Sequence, residues 1–188
     1  MHIHLIRHGK TAANEQRLYC GATDIPLSAD GIAELLELKQ QRIYPGAVMF
    51  FTSGMMRTDQ TLDTLYGAVD REHMPEFAEF DFGIFEMKSY ETLKADPNYQ
   101  AWITDETGLV SCPNGENRNA FTRRVVRGCK LLTKKTNDVI VVCHGGVIVT
   151  IMDYIFPNQK NFYEWQPKPG RGYTITITPD GHKQYKPI

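Results

Sequence analysis

Two apolar runs, IHLIR at 3–7 and DVIVVC at 138–143, stop in the same way: a histidine followed at once by glycine, His8-Gly9 in LIRHGK and His144-Gly145-Gly146 in VVCHGG. A short Val/Ile/Leu run without strict alternation is the pattern of a strand covered on both faces. Such strands belong to sheets layered with helices, and in open α/β sheets ligands sit beyond the carboxyl ends of the strands. The repeated ending therefore constrains fold and site together.

The rest of the chain fits that frame. AVMFF at 47–51 reads as a further buried strand, and GYTITIT at 172–178 alternates as an outer strand would. Residues 30–43 place Ile32, Leu35, Leu36 and Leu38 near helical spacing before Pro45-Gly46, with Ser28 or Asp30 available as the cap. Further helices are expected at 55–66, 116–134 and 146–156. The succession predicts a single-domain, three-layer α/β/α sandwich over 1–188 with a mostly parallel sheet. Residues 81–115 carry no strand signal but hold Phe82, Phe85, Tyr90, Tyr99 and Trp102, and read as a helical excursion off the sheet.

Composition narrows the partner. With 21 basic and 22 acidic side chains and no basic block, neither nucleic acid nor an anionic membrane is expected. Nowhere do 18 apolar residues run together, and the first apolar stretch is short for a signal peptide, which points to a cytoplasmic protein. Cys20, Cys112, Cys129 and Cys143 contain no C-x-x-C pair and read as reduced thiols rather than a disulfide framework or a metal site. A small soluble ligand, no cofactor or metal, and a monomer or weak homodimer are the expectations.

Chemistry concentrates at the strand ends. Arg7 precedes His8, and Arg57 in TSGMMRTDQT lies in the first turns of the helix after the second strand; it could instead pair with Asp59. Glu79 closes MPEFAE, a stretch that could be one more strand, where a solvent-facing carboxylate is the plainer reading. Two guanidinium forks with helix N-termini suit a phosphate dianion. Cationic neighbours keep His8 neutral and nucleophilic. A protonated His144 would stabilise charge on the equatorial oxygens, and Glu79, holding a proton beside the dianion, would protonate the leaving group.

These segments resemble the histidine phosphatase superfamily, the phosphoglycerate-mutase-like family, in order from residue 3 to about 156. LIRHGKTAAN is similar to its signature, which implies His8 as the phosphorylated histidine, Arg7 and Asn14 as phosphate ligands and Gly9 as the turn. YCGATDIPLSADG implies Gly21 and Thr23 at the substrate mouth. TSGMMRTDQT implies Arg57 as the second phosphate arginine, and FAEFDFGIFE, aligned on Phe82-Gly83, selects Glu79 over Glu86 as the acid. VVCHGG implies His144 as the second catalytic histidine, with Gly145 in the phosphate site, and NGEN…RR resembles the helix start before it. Lys10, Cys20 and Met87 depart from the usual pattern. The compact chain resembles the phosphatase branch, and FGIFEMKSYETLKADPNYQAWITD is similar to phosphatases acting on α-ribazole phosphate; a mutase-type phosphoryl transfer is the alternative. Phe82, Phe85, Tyr90 and Trp102 would then stack on an aromatic base, or else pin the excursion to the domain.

Three rivals remain. CPNGENR sets Cys112 and Arg118 at the spacing of cysteine-dependent phosphatases, although Pro113 lacks an N–H and Glu116 repels a dianion. His2, His4 and His8 share strand parity and could face a metal, although strand rise separates His2 from His8 by ~20 Å. The third is a phosphate-binding module without turnover.

Overall fold

A computed structural model describes residues 1–188. Its elements are β1 (His2–Arg7), α1 (Ala12–Glu15), α2 (Ala29–Gln40), β2 (Met49–Thr52), α3 (Met56–Tyr66), β3 (Glu72–His73), α4 (Tyr90–Leu93), α5 (Pro97–Ile103), α6 (Arg118–Leu132), β4 (Val139–Cys143), α7 (Gly145–Ile155), α8 (Phe162–Trp165), β5 (Gly172–Ile177) and β6 (Lys183–Pro187). Single 3₁₀ turns occupy Pro75–Phe77 and Gly83–Phe85.

One six-stranded sheet runs in the order β3-β2-β4-β1-β5-β6. The pairs β1/β4, β2/β4 and β2/β3 are parallel, whereas β1/β5 and β5/β6 are antiparallel. The sheet is therefore mixed, with its parallel half holding both histidine-glycine endings. Alternate side chains divide it into two interfaces. Ile3, Leu5, Phe51, Val139, Val141 and Cys143 join the larger core with α6 and α7, while Ile6, Ile140 and Val142 pack on Leu35, Leu62 and Leu65 of α2 and α3. This is the three-layer α/β/α arrangement expected from the buried strand runs.

Several boundaries differ from the expectation. α2 stops at Gln40 rather than Ile43, and Ser28 is its cap, accepting from the Gly31 N–H. The stretch 74–79 is not a strand: Pro75 has no N–H for a ladder, and the chain turns there in 3₁₀ form just after the two-residue β3. β5 is not outermost, because β6, with Pro187 near its end, covers it as the edge. The excursion at 81–115 holds α4 and α5 and is tied back where Leu18 bridges Ser89 and Tyr19 exchanges backbone hydrogen bonds with Met87 and Lys88. Met87 takes φ of 58°, a left-handed conformation that favours glycine. Phe85, Tyr99 and Trp102 are buried in an aromatic cluster with Phe80, Phe82 and Tyr19, so Phe85 and Trp102 are packing groups and not free stacking platforms.

Candidate active site

The parallel pairing of β1 with β4 aligns Arg7 with Cys143, and the His8 N–H then donates to the Cys143 carbonyl at 2.9 Å. Two neighbouring strand ends thus deliver His8 and His144 side by side, ring centroids 5.1 Å apart and edge to face. Their proton positions follow from their partners. His8 Nδ1 lies 2.6 Å from the Gly9 carbonyl, which can only accept, so Nδ1 carries the hydrogen and Nε2 of the neutral ring keeps its lone pair. Burial, and next the Arg57 and Arg7 charges, push the His8 pKa down to about 3.

His144 is neutral too, which corrects the expected imidazolium. Arg57 Nε donates to His144 Nδ1 at 3.3 Å, which leaves the ring hydrogen on Nε2, 2.8 Å from Ser53 Oγ. Burial, reinforced by His8 and both arginines, holds its pKa well below the ordinary imidazole value. Ser53, at the end of β2, had its signal in the sequence: FTSG is the third strand ending at the same edge of the sheet.

Arg57 is buried and Arg7 half-buried, and each is individually fixed. Arg57, on the first turn of α3, gives Nη1 to the Thr23 carbonyl at 2.9 Å and Nη2 to the Gly21 carbonyl at 2.7 Å. With Nε on His144, two of its five N–H groups remain for a ligand. The alternative pairing of Arg57 with Asp59 does not occur; Asp59 accepts from Thr52 and pairs with Arg71. Arg7 donates Nη1 to the Pro167 carbonyl, while its buried Nε has no protein partner.

Glu79 reaches the start of α7, where Oε2 accepts from the Gly146 N–H at 3.0 Å. Its backbone is clamped by Arg124 of α6, which donates to the Glu76, Ala78 and Glu79 carbonyls and pairs with Glu116. The two glycines opening α7 are spaces. A Cβ on Gly145 would stand 2.8 Å from Gln166 Nε2 and 3.3 Å from the Arg7 guanidinium; one on Gly146 would stand 2.6 Å from Glu79 Oε1.

The remaining site residues act differently from one another. Gly9 spends its N–H on Thr61 Oγ1 and its carbonyl on His8, and a Cβ there would meet Leu35 at 2.6 Å, so it orients His8 and admits α2 rather than offering an amide to a ligand. Asn14 caps α1 reciprocally with Thr11 through Oδ1, which leaves Nδ2 without a protein partner. Gly21 and Thr23 bind Arg57 through their carbonyls, while their N–H groups, with the Thr23 hydroxyl, turn to Glu86. Lys10 pairs with Glu34 of α2, and Cys20 Sγ lies 3.6 Å from the Thr23 carbonyl. Sequence reasoning missed Ser53, Gln166, the Pro167 anchor and the clamp by Arg124; 157–171 offers no periodicity to read.

The rival constellations dissolve. Cys112 is buried in the core, its thiol pushed up to about 12 by burial, and Arg118 faces Asp105. His2 and His4 bond Thr176 and Thr174 of β5, and His8 sits beyond the far end of the strand. A cavity of about 390 Å³ between α6, α7 and α8 contains none of the histidines or arginines above.

Comparison with known proteins agrees with this geometry. An adenosylcobalamin/alpha-ribazole phosphatase of Salmonella typhimurium is 33% identical over 154 residues, 79% of this chain and 76% of that one. The crystal structure of the alpha-ribazole phosphatase from Shigella flexneri superposes with a TM-score of 0.87 at 26% identity, covering 99% of this chain and 95% of that chain. A phosphoglycerate mutase from Thermus thermophilus gives 0.72 at 27% identity, over 98% and 96%. The family profile matches residues 3–185, and the chain belongs to the histidine phosphatase superfamily, branch 1.

Proposed function

We propose that the protein hydrolyses a small phosphomonoester through a phosphohistidine on His8, with an α-ribazole 5′-phosphate-like ester as the substrate. The observation that carries this reading is the His8 tautomer: the bond from Nδ1 to the Gly9 carbonyl leaves Nε2 unprotonated beside the guanidinium groups of Arg57 and Arg7. Burial and positive neighbours together keep that ring a nucleophile rather than a cation.

The phosphate dianion is held by the two free N–H groups of Arg57, by the unpartnered Nε of Arg7 and by Asn14 Nδ2. Nε2 of His8 attacks phosphorus, the P–O bond to the leaving group breaks, and Glu79 gives its proton to the departing oxygen. Glu79 then takes a proton from the water that attacks the phosphohistidine, which frees phosphate and restores the imidazole. His144 serves this cycle as a neutral acceptor that locks Arg57, and no step calls for a metal or cofactor.

The relatives' names support the substrate class, and four free cysteines suit a reducing cytoplasm. Esters of small uncharged leaving groups suit a chain of balanced charge, 21 basic against 22 acidic side chains, and no helix is long and apolar enough to cross a membrane. The structural likeness to a phosphoglycerate mutase favours a second reading, in which the phosphoryl group passes to another metabolite instead of water.

Rapid acid or alkaline quench during turnover of α-ribazole 5′-phosphate tests both. The expected result is an acid-labile, base-stable phosphoprotein that is absent from His8→Ala and decays with stoichiometric release of inorganic phosphate. Equal labelling of His8→Ala would end the proposal; transfer to 3-phosphoglycerate faster than release would favour the mutase.

A further inference from the structure

Glu86 lies seven residues after Glu79 and makes none of its contacts. Its carboxylate accepts from five donors: the N–H groups of Gly21, Ala22, Thr23 and Phe82 at 2.9–3.3 Å and the Thr23 hydroxyl at 2.7 Å. Three consecutive backbone N–H groups wrapped around one anion form a nest, and charge-assisted bonds of this kind are the stronger class. The loop they belong to has no helix or strand ladder to fix it, so the carboxylate supplies its conformation.

The same loop faces Arg57 with its carbonyls. A single peptide group, Gly21–Ala22, has its N–H on Glu86 Oε1 at 2.9 Å and its C=O on Arg57 Nη2 at 2.7 Å. Carboxylate, peptide dipole and guanidinium thus lie in series, negative to positive, each polarising the next. Thr23 adds a second link, its N–H and hydroxyl on Glu86 and its carbonyl on Arg57 Nη1. Gly21 is required for the close fit, because a Cβ there would sit 1.6 Å from the Phe80 carbonyl oxygen.

We infer that Glu86 is a positioning residue for phosphate binding: it acts through the Gly21–Thr23 loop to aim the two free N–H groups of Arg57, without touching the ligand itself. This rests on the phosphatase reading above, and goes beyond it by giving the second acidic residue of the motif a function. Without the carboxylate, three adjacent N–H groups lose their acceptor, the loop relaxes, and two of Arg57's three fixed contacts go with it.

The test is a double-mutant cycle on the affinity for inorganic phosphate, using Glu86→Gln, Arg57→Gln and the double variant, with thermal melting as the control for folding. Glu86→Gln is expected to weaken phosphate binding by ~10-fold or more, as loss of charge-assisted contacts does. In the Arg57→Gln background it is expected to add nothing, because coupled residues are not additive. The Arg57 guanidinium N–H resonances of Glu86→Gln should also shift, since the Nη contacts to Gly21 and Thr23 are the ones lost. If Glu86→Gln does not fold, Thr23→Val, which removes one donor to the carboxylate, gives the same cycle at ~2- to 5-fold amplitude. Equal fold-losses in both backgrounds, or unchanged affinity in a folded Glu86→Gln protein, would overturn the inference. A wild-type protein that binds no phosphate would overturn the phosphatase reading and this inference with it.

Discussion

Glu79 and Glu86 are both candidates for proton transfer on composition, and their neighbours separate them. Every oxygen of Glu86 is engaged by loop donors, whereas Glu79 touches one amide of α7 and its own neighbour Phe80. With two donors against five, Glu79 is the less committed carboxylate and the one we assign the proton transfer. Glu79→Gln keeps the shape and removes the acid, so kcat should fall by ~10²- to 10⁴-fold for alkyl phosphates. For p-nitrophenyl phosphate, whose leaving group departs without a proton, the loss should be far smaller. Steady-state kcat across a leaving-group series checks this, and a uniform loss along the series would take the acid role from Glu79. Residue identity was readable at this scale, but protonation was not. His144 in VVCHGG carries no sign of whether its ring is charged; that depends on Arg57 Nε arriving from 87 residues away to occupy Nδ1, with Ser53 on Nε2.

At the N-terminus of α7 the backbone is the working part. The helix opens with Gly145-Gly146 because Arg7 and Glu79 fill the space where side chains would stand. A methyl group on Gly146 would meet the far end of a flexible side chain, so Gly146→Ala should fold normally, and alanine is favoured over glycine in a helix by about 1 kcal/mol. The displaced carboxylate should still lower kcat, by ~10-fold or more and most for poor leaving groups, as misplacement of a catalytic group does. Thermal melting and kcat measured on one preparation separate the two effects; a parallel fall in both would mean the glycine is needed for the helix itself. Gly21→Ala is the contrast, since its clash is with backbone. β4 was legible from the sequence because burial on both faces leaves VIVVC no polar position, and β1 and α7 because their apolar runs are interrupted by few polar residues. β3 has two residues and β6 reads KQYKP, so neither presents a hydrophobic period, and α8 is a single turn set by the Asn161–Glu164 capping box inside an irregular segment. The excursion was visible by its aromatics, yet only packing could show that Phe85 and Trp102 face inward.

Across the whole molecule, the central strands β1 and β4 do two jobs that pull against each other: they run through the middle of both apolar cores, and they carry buried imidazoles. His4 lies within β1 against Thr174, with His8 and His144 at the carboxyl ends, and all three are nearly or fully buried. Burial holds His4 at about 4 and, with the arginines, His8 at about 3, and it lowers His144 as well. In the unfolded chain each titrates near the ordinary value of about 6.5. Between those limits the unfolded state binds protons that the folded state refuses, so stability is fully present above pH 6.5 and falls as the solution is acidified toward pH 4. Each histidine contributes up to about 1.4 kcal/mol per pH unit, and the three together ~4 kcal/mol per unit at most. This window lies above the range in which the depressed carboxyl of Asp105, held near 2 by its hydrogen bond from Thr107, begins to matter. Urea unfolding at pH 7, 6 and 5 should therefore show a midpoint that drops steeply with each step. His4→Gln, which removes one imidazole outside the catalytic group, should lower the slope by about a third of that total. A midpoint that stays flat from pH 7 to 5 would mean that the imidazoles take up protons in the folded state, and the neutral nucleophile would be lost along with the pH dependence.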